Sequence, residues 1–355
     1  MSVTTLPSPQ DAPVPVLDQL ARVSGDHGAP ALRDRLASLG RFVAADLAGF
    51  EAEIAAIPRG SRVIHAAAHH LLDLKGKHLR PLCVALASRF GDGFTARARS
   101  LAVSVELVHS ATLLHDDVVD VAERRRGQPT ACVVYGNAAS IFAGDWLLVA
   151  ALRRIAAAGV DGLSDRMLAV IEEMIVAESR QLERRGKVTG ARAEYFEIIE
   201  GKTAALFRWA MVAGARVAGL GTAAEAALER FGLHLGVAFQ AVDDELDFAG
   251  AGTGKDALAD LREGKITFPM VVALERDPAL RGQLEAMLGG GDASPTADEL
   301  GAVASAIRAT GALAATRRLA EEHVQKAIVT LGELPAGPAR EALETVAMAS
   351  LERQS

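Results

Sequence analysis

Twice in this chain three aspartates are spelled Asp-Asp-x-x-Asp inside an apolar, alanine-rich stretch: Asp116, Asp117 and Asp120 in LLHDDVVD, and Asp243, Asp244 and Asp247 in FQAVDDELDFAG. Each stretch reads as a helix, where successive residues turn by about 100°, so positions i, i+1 and i+4 share one face. Each motif therefore aims three carboxylates in one direction. Like charges grouped beside apolar neighbours have raised pKa values and cost solvation unless a cation compensates. Oxygen ligands without His or Cys favour Mg2+, which takes one or two carboxylates, several waters and substrate phosphates. One such motif reads most simply as an acidic helix surface. Two copies, each in a hydrophobic helix and each followed by basic residues, read as facing walls of one site.

The rest of the chain agrees with a helical frame. Ala, Leu, Val, Arg and Glu dominate its 355 residues, aromatics make up only 4%, and no run of alternating β-branched residues marks a strand. The expected fold is all-α, a single large helical bundle around a deep central cavity. Prolines 7, 9, 13, 15 and 30 suggest a disordered leader over residues 1–30, with one helical domain over 31–355. Breaks are expected at Pro58–Gly60, Gly91–Gly93, Gly159–Gly162 and Gly219–Thr222, and a surface loop at Gly289–Pro295. Thr222 with Glu225, and Thr296 with Glu299, have capping-box spacing. Segments 101–119, 137–158 and 203–220 are apolar or small on nearly every side, as interior helices of a large bundle are.

Composition also excludes partners. A net charge of −7 argues against general nucleic-acid binding, which normally needs a basic surplus. Cys83 and Cys132 lack the paired spacing of a zinc site or disulfide framework and read as reduced thiols. No basic segment followed by an apolar core opens the chain, and no apolar run reaches membrane-spanning length, so a cytoplasmic location without a membrane span is expected.

Three basic groups accompany the acidic motifs: Lys75-Gly76-Lys77-His78-Leu79-Arg80-Pro81, then Arg124-Arg125-Arg126-Gly127, then Lys255 and Lys265 around GKDALADLREGK. Arg and Lys beside Mg2+ ligands point to a diphosphate as the group that both hold. Arg184-Arg185-Gly186-Lys187 reads instead as a solvated helix end.

GKHLRP, ATLLHDDVVD, RRGQPT, GNAASIFAGDWL, GKTAALF and VAFQAVDDELD follow one another in an order that resembles the trans-isoprenyl diphosphate synthase (polyprenyl synthetase) family from about residue 31 onward. The likeness is greatest to its long-chain, octaprenyl-type bacterial members, and it implies the isoprenoid synthase fold. It implies that Asp116, Asp120 and Asp243 are the main ligands of three Mg2+ ions holding an allylic diphosphate, with Asp117, Asp244 and Asp247 nearby. Arg125, Lys202, Thr203, Gln240, Lys255 and Lys265 would serve the allylic diphosphate, with Gln181 as a further polar contact. Gly76, Lys77, Arg80, His109 and Arg126 would cradle the second substrate, isopentenyl diphosphate. Asp116, Asp117, Asp120, Lys202, Asp243 and Asp244 would carry the catalysis. Departures from the family pattern are Lys75 for the first Gly of GGK, His78 for Arg, Ala177 for the Gly of GExxQ, and Leu258 where Gly is common.

In that family, large aromatics four or five positions before the first motif stop chain growth. Here those positions hold Thr112 and Ala111, with Val108 a turn further, about 5.4 Å along the helix. A long product is expected, C30 or more with C40 as the single length, for the side chain of a quinone. The alternatives are a geranylgeranyl or other short-chain synthase and a non-catalytic subunit of a heteromer. A class I terpene cyclase is opposed by the second Asp-Asp-x-x-Asp together with Lys77, Arg80 and Arg126. A homodimer is expected from the family. His69, His70 and His115 read as surface and packing residues, and Trp146 and Trp209 as core.

Overall fold

The computed structural model describes residues 30–74, 76–248, 258–288 and 295–352. Lys75, Lys255, residues 289–294 of the expected surface loop and all of the expected leader except Pro30 lie outside the described residues.

Helices succeed one another along the chain. First come α1 (Pro30–Ala55), α2 (Val63–Leu72), α3 (Leu79–Ser88) and α4 (Ala96–Val119), the last ending in the first acidic motif. A hairpin of β1 (Arg124–Arg125) and β2 (Gln128–Pro129) follows, then α5 (Ala131–Tyr135), α6 (Asn137–Ala158), α7 (Leu163–Glu183) and α8 (Arg192–Ile199). A π-helical turn, Glu200–Ala204, leads into α9 (Ala205–Val217), and α10 (Thr222–Asp247) ends in the second motif. The remainder is α11 (Ala259–Arg262), α12 (Phe268–Arg276), α13 (Leu280–Leu288), α14 (Ala297–Ala309), α15 (Ala312–Thr330) and α16 (Pro338–Leu351). Among the described residues the only strands are the two of the hairpin, and the fold is the expected all-α one.

Helix α9 holds the two motif helices in place, packing against α4 and α10 as well as α3. Phe207, Trp209 and Met211 on it are fully buried; each such side chain contributes about 1.5–3 kcal/mol. Glycines on α10 let the backbones touch. A Cβ on Gly236 would lie 2.5 Å from the Cα of Ala204, and one on Gly232 2.8 Å from the carbonyl oxygen of Phe207. One core surrounds α3, α4, α6 and α9, and a second surrounds the end of α10, α12 and α15.

The four expected breaks all separate helices. Thr296 forms its capping box with Glu299, whereas Thr222 does not. Helix α10 starts after Gly221, and Glu225 is drawn away by Arg216, whose Nη2 donates to it at 2.8 Å. Segment 137–158 is less enclosed than its composition suggested. Leu147, Ala151 and Ile155 face the core, but Phe142 is 60% exposed and Val149 50%, because α4 covers only one face of α6. Among the described residues no helix is long and apolar enough to cross a membrane.

Candidate active site

Helices α4 and α10 carry their acidic motifs to a cavity of about 250 Å³. Asp116 and Asp120 line it from α4, Gln240 and Asp244 from α10, and Lys202 and Thr203 from the π turn. Arg125 enters from the hairpin, and Asp260 and Lys265 from α11 and the segment after it. Leu113, Ile198, Ile199 and Val271 add apolar wall. Asp117, Asp243 and Asp247 are not among the lining residues, although they belong to the same two helix ends.

The first motif is surrounded by cations. Asp117, 1% exposed, accepts from the Nε of Arg125 at 2.8 Å. The hairpin makes this reach possible: Arg126 and Gly127 turn the chain in two residues with φ of 51° and 77°, the left-handed conformation that twists a tight hairpin correctly. Asp120 accepts from Arg185 Nη2 at 2.5 Å and Lys265 Nζ at 2.8 Å. Burial pushes its pKa up, but Lys265, Lys202 and Arg185 outweigh that and hold it below the usual aspartate value. Burial likewise disfavours the charge on Lys265, yet Glu263 and Asp120 keep its pKa above the ordinary lysine value. Asp116 goes the other way. Burial raises it to about 6, opposed by Lys202 and reinforced by Glu178 and Asp120.

Lys202 and Thr203 sit in a π turn, a conformation frequent at functional sites, closed by the Ala205 N–H donating to the Glu200 carbonyl. Gly201 is pressed against α7; a Cβ there would lie 2.8 Å from that of Ala177. Lys202 Nζ donates to Gln181 Oε1 at 2.8 Å and pairs with Glu178.

Neutral donors hold Asp244, the middle aspartate of the second motif. Asp244, 1% exposed, accepts from Tyr195 Oη at 2.8 Å, Gln240 Nε2 at 2.9 Å and the Phe268 N–H at 3.2 Å. Burial, with the charge of Asp260 behind it, raises its pKa to about 8. Gln240 Oε1 in turn accepts from Thr203 at 2.8 Å, tying α10 to the π turn. Asp247 accepts from the backbone N–H groups of Ala259 (2.9 Å) and Asp260 (3.3 Å), and so fixes the start of α11. Leu258 there takes a left-handed φ of 61° in place of the usual Gly. Among the described residues the other non-glycine positive φ values fall at His78, Val121 and Arg126, each beside a motif. Strain concentrated this way marks a site whose surroundings over-determine it.

The residues assigned to a second diphosphate form a separate group, none of them lining the cavity. Arg126 Nη1 donates to the Leu74 carbonyl at 2.7 Å, and a Cβ on Gly76 would come within 3.1 Å of its Nη2. Lys77 is half-buried beside them. Arg80 stacks 4.5 Å above the Phe207 ring. Burial and then Arg80 push the pKa of His109 well below 6.5, leaving a neutral imidazole among cations. Glu106, 6% exposed, anchors the group. Burial works against its charge, but His78, His109 and Arg80 prevail and hold it at about 2.

Ala111 and Val108 are each 1% exposed, and Thr112 is half-buried with its hydroxyl donating to the His109 carbonyl at 2.8 Å. None of the three lines the cavity. His69 is buried rather than superficial at 5% exposed, and Trp209 is core. The segment 184–187 is not a solvated helix end: Arg185 reaches Asp120, and Arg184 and Lys187 line the cavity. Sequence reasoning also passed over Glu106, Glu178 and Tyr195. Two of these carry a local signal: Glu106 is a single charge inside the apolar run LAVSVELVHSATLL, and Glu178 stands at the Glu of GExxQ.

The donor set suits a hard divalent cation that arrives with phosphate. Among the described residues no three His, Cys, Asp or Glu side chains converge tightly enough to hold a metal alone. Asp116 and Asp120 offer oxygen on one wall, and burial, with Glu178 and Asp120 adding to it, disfavours a charge on Asp116 that a cation would compensate. A divalent cation that takes one or two carboxylates and otherwise water and phosphate oxygens would be held there by Asp116 and Asp120.

Residues 61–306 match the family model described as polyprenyl synthetase. The chain is 33% identical over 327 residues to an octaprenyl diphosphate synthase of Escherichia coli, covering 90% of this chain and 99% of that one. It is 34% identical over 319 residues to heptaprenyl diphosphate synthase component 2 of Geobacillus stearothermophilus, covering 88% and 98%. A crystal structure of a polyprenyl synthase from Caulobacter crescentus, complexed with calcium and isoprenyl diphosphate, superposes with a TM-score of 0.85 at 37% identity, over 91% of this chain and 98% of that one.

Proposed function

This chain belongs to the polyprenyl synthetase family, with its isoprenoid synthase fold and prenyltransferase chemistry, and from that premise we propose a Mg2+-dependent trans-prenyltransferase making a long-chain product. It joins isopentenyl diphosphate to an allylic diphosphate and extends the chain to C30 or beyond, C40 being the expected length, for a quinone side chain. The observation that carries this reading is the meeting of Asp116 and Asp120 with Arg125, Lys202 and Lys265 around one cavity.

In this reading Asp116 and Asp120 with Asp243 would hold Mg2+, three ions as in the family, with Asp117, Asp244 and Asp247 behind them. Bound there, the metal would supply Lewis-acid stabilisation of the diphosphate leaving group. Lys202, Arg125 and Lys265, joined by Lys255, spread positive charge where negative charge develops as the allylic C–O bond ionises. Gly76, Lys77, Arg80, His109 and Arg126 fix the isopentenyl diphosphate so that its double bond faces the cation. Leu113, Ile198 and Ile199 keep water away from that cation. No side-chain nucleophile is needed, and the departing diphosphate takes the proton lost in the final step. The small side chain of Ala111, with Thr112 and Val108, leaves the growing chain a path along α4. A homodimer is supported by the exposed Phe142 and Val149 face of α6.

A second reading draws on the Geobacillus relative, which is named as component 2 of its synthase: the chain would work only with a partner subunit. Incubating the purified chain with isopentenyl diphosphate, each allylic primer in turn and Mg2+, then sizing the products by chromatography, separates these readings. Products of C30 or longer support the first reading. Products stopping at geranylgeranyl length refute the long-chain assignment, and no turnover with any primer favours the heteromer.

A further inference from the structure

Arg185 belongs to none of the motifs that carry the family resemblance, yet it reaches the centre of the site. Its Nη2 donates to Asp120 Oδ1 at 2.5 Å while Lys265 takes Oδ2 at 2.8 Å, so each oxygen of that carboxylate faces a cation. The Nε of Arg185 is buried and makes no hydrogen bond. The two cations are mounted on one stitched unit. Gly186 N–H donates to the Gly264 carbonyl at 2.9 Å, and Gly264, at φ 73°, is close enough that a Cβ would lie 3.0 Å from Gly186 N and 3.3 Å from Arg185 Cγ. Arg184 and Lys187 on the same segment line the cavity.

We propose that Arg185 is a further binding residue for the allylic diphosphate, held on Asp120 until a divalent cation takes that carboxylate and then turned onto the phosphate oxygens. The inference rests on the reading of the cavity as a metal–diphosphate site. Its physical basis is a competition. A guanidinium and a divalent cation repel each other at one carboxylate, and the oxygens arriving with the metal are the acceptors next in reach. A planar guanidinium with one donor already uncommitted matches a phosphate edge in two hydrogen bonds. Arg185 therefore opposes metal binding when no diphosphate is present and assists it when one is. A residue serving only to brace the loop would shift both in the same direction.

The test is calorimetric binding with inorganic pyrophosphate and MgCl2, comparing the wild-type chain with Arg185→Gln and Arg185→Lys. Arg180→Gln serves as control, because Arg180 pairs with Glu197 on the exposed face of α7. The expected result is that Arg185→Gln binds Mg2+ alone more tightly but binds Mg2+–pyrophosphate about tenfold more weakly. Arg185→Lys recovers part of the loss, Arg180→Gln changes neither, and in turnover the KM for the allylic substrate rises while that for isopentenyl diphosphate stays. Unchanged pyrophosphate binding in a folded Arg185→Gln protein, or a parallel loss of metal and pyrophosphate binding, overturns the assignment while the site reading stands. No pyrophosphate binding by the wild type overturns both.

Discussion

In the first acidic motif the carboxylates meet charge: Asp117 meets Arg125, and Asp120 meets Arg185 and Lys265. In the second, Asp244 accepts from neutral donors, namely Tyr195, Gln240 and a backbone N–H, and Asp247 accepts from two backbone N–H groups. The same five-residue spelling thus does two jobs. Asp116 and Asp120 face the cavity, Asp120 on the side-chain cations of Arg185 and Lys265, whereas Asp244 and Asp247 fasten α10 to α8, α11 and α12. A carboxylate compensated by side-chain cations can be handed to another cation; one clasped by the fold cannot be released without cost.

That contrast is broken most forcefully by substitution at each end. Asp116→Asn is expected to lower kcat/KM by about 100- to 1000-fold while the urea midpoint hardly moves. Asp247→Ala removes the cap of α11 and is expected to cost about 1 kcal/mol of stability, with turnover reduced by only about tenfold. Steady-state kinetics beside urea unfolding decide it, and equal kinetic losses for the two would erase the distinction.

Next in size is Tyr195→Phe. It leaves buried Asp244 one donor short, a loss of about 1–3 kcal/mol, visible as a lower urea midpoint. An unchanged midpoint would show that Tyr195 does not hold the second motif.

A subtler separation comes from pH in the metal-free protein. The carboxyl of Asp244 rises from 3.8 to about 8 on folding, so between those values the folded chain keeps a proton that the unfolded chain has lost. Stability therefore falls as pH rises through that window, and Asp244→Asn flattens the slope. Asp120, whose pKa is lowered, acts in the opposite sense: its contribution is present above the ordinary aspartate value and fades as pH falls through its folded one. Calorimetric melts across the acid and neutral range check both signs.

The smallest effect on turnover is expected from Ala111→Phe. It overfills a position that is 1% exposed, at about 1–3 kcal/mol, and shortens the product. Chromatography showing an unshifted product would remove Ala111 as a floor of the chain path.

Helical spacing placed Asp116 and Asp120 on one face, and the glycine breaks gave the helix limits, because such signals are local; that Asp117, Asp243 and Asp247 do not line the cavity with them was not legible. Contacts across the chain were not legible. Arg185 meets Asp120 over 65 residues and Tyr195 meets Asp244 over 49, and nothing near Arg184-Arg185-Gly186-Lys187 distinguishes it from a frayed, solvated helix end. Thr222 and Glu225 had the spacing of a cap, but Arg216 competes for Glu225 only once α9 and α10 are folded together. The hairpin escaped notice because its strands lack β-branched residues; the turn at Arg126–Gly127 makes it, and it points Arg125 inward.

The contrast comes down to Asp116 and Asp120 as metal holders against Asp244 and Asp247 as fastenings of the fold. Equilibrium dialysis of Mn2+ against the purified chain with saturating pyrophosphate, counting bound ions in the wild type, Asp116→Asn and Asp247→Ala, tests it most directly. Asp116→Asn is expected to lose metal and Asp247→Ala to retain the wild-type count; an undiminished count in Asp116→Asn, or an equal loss in Asp247→Ala, would abolish the distinction between the two motifs.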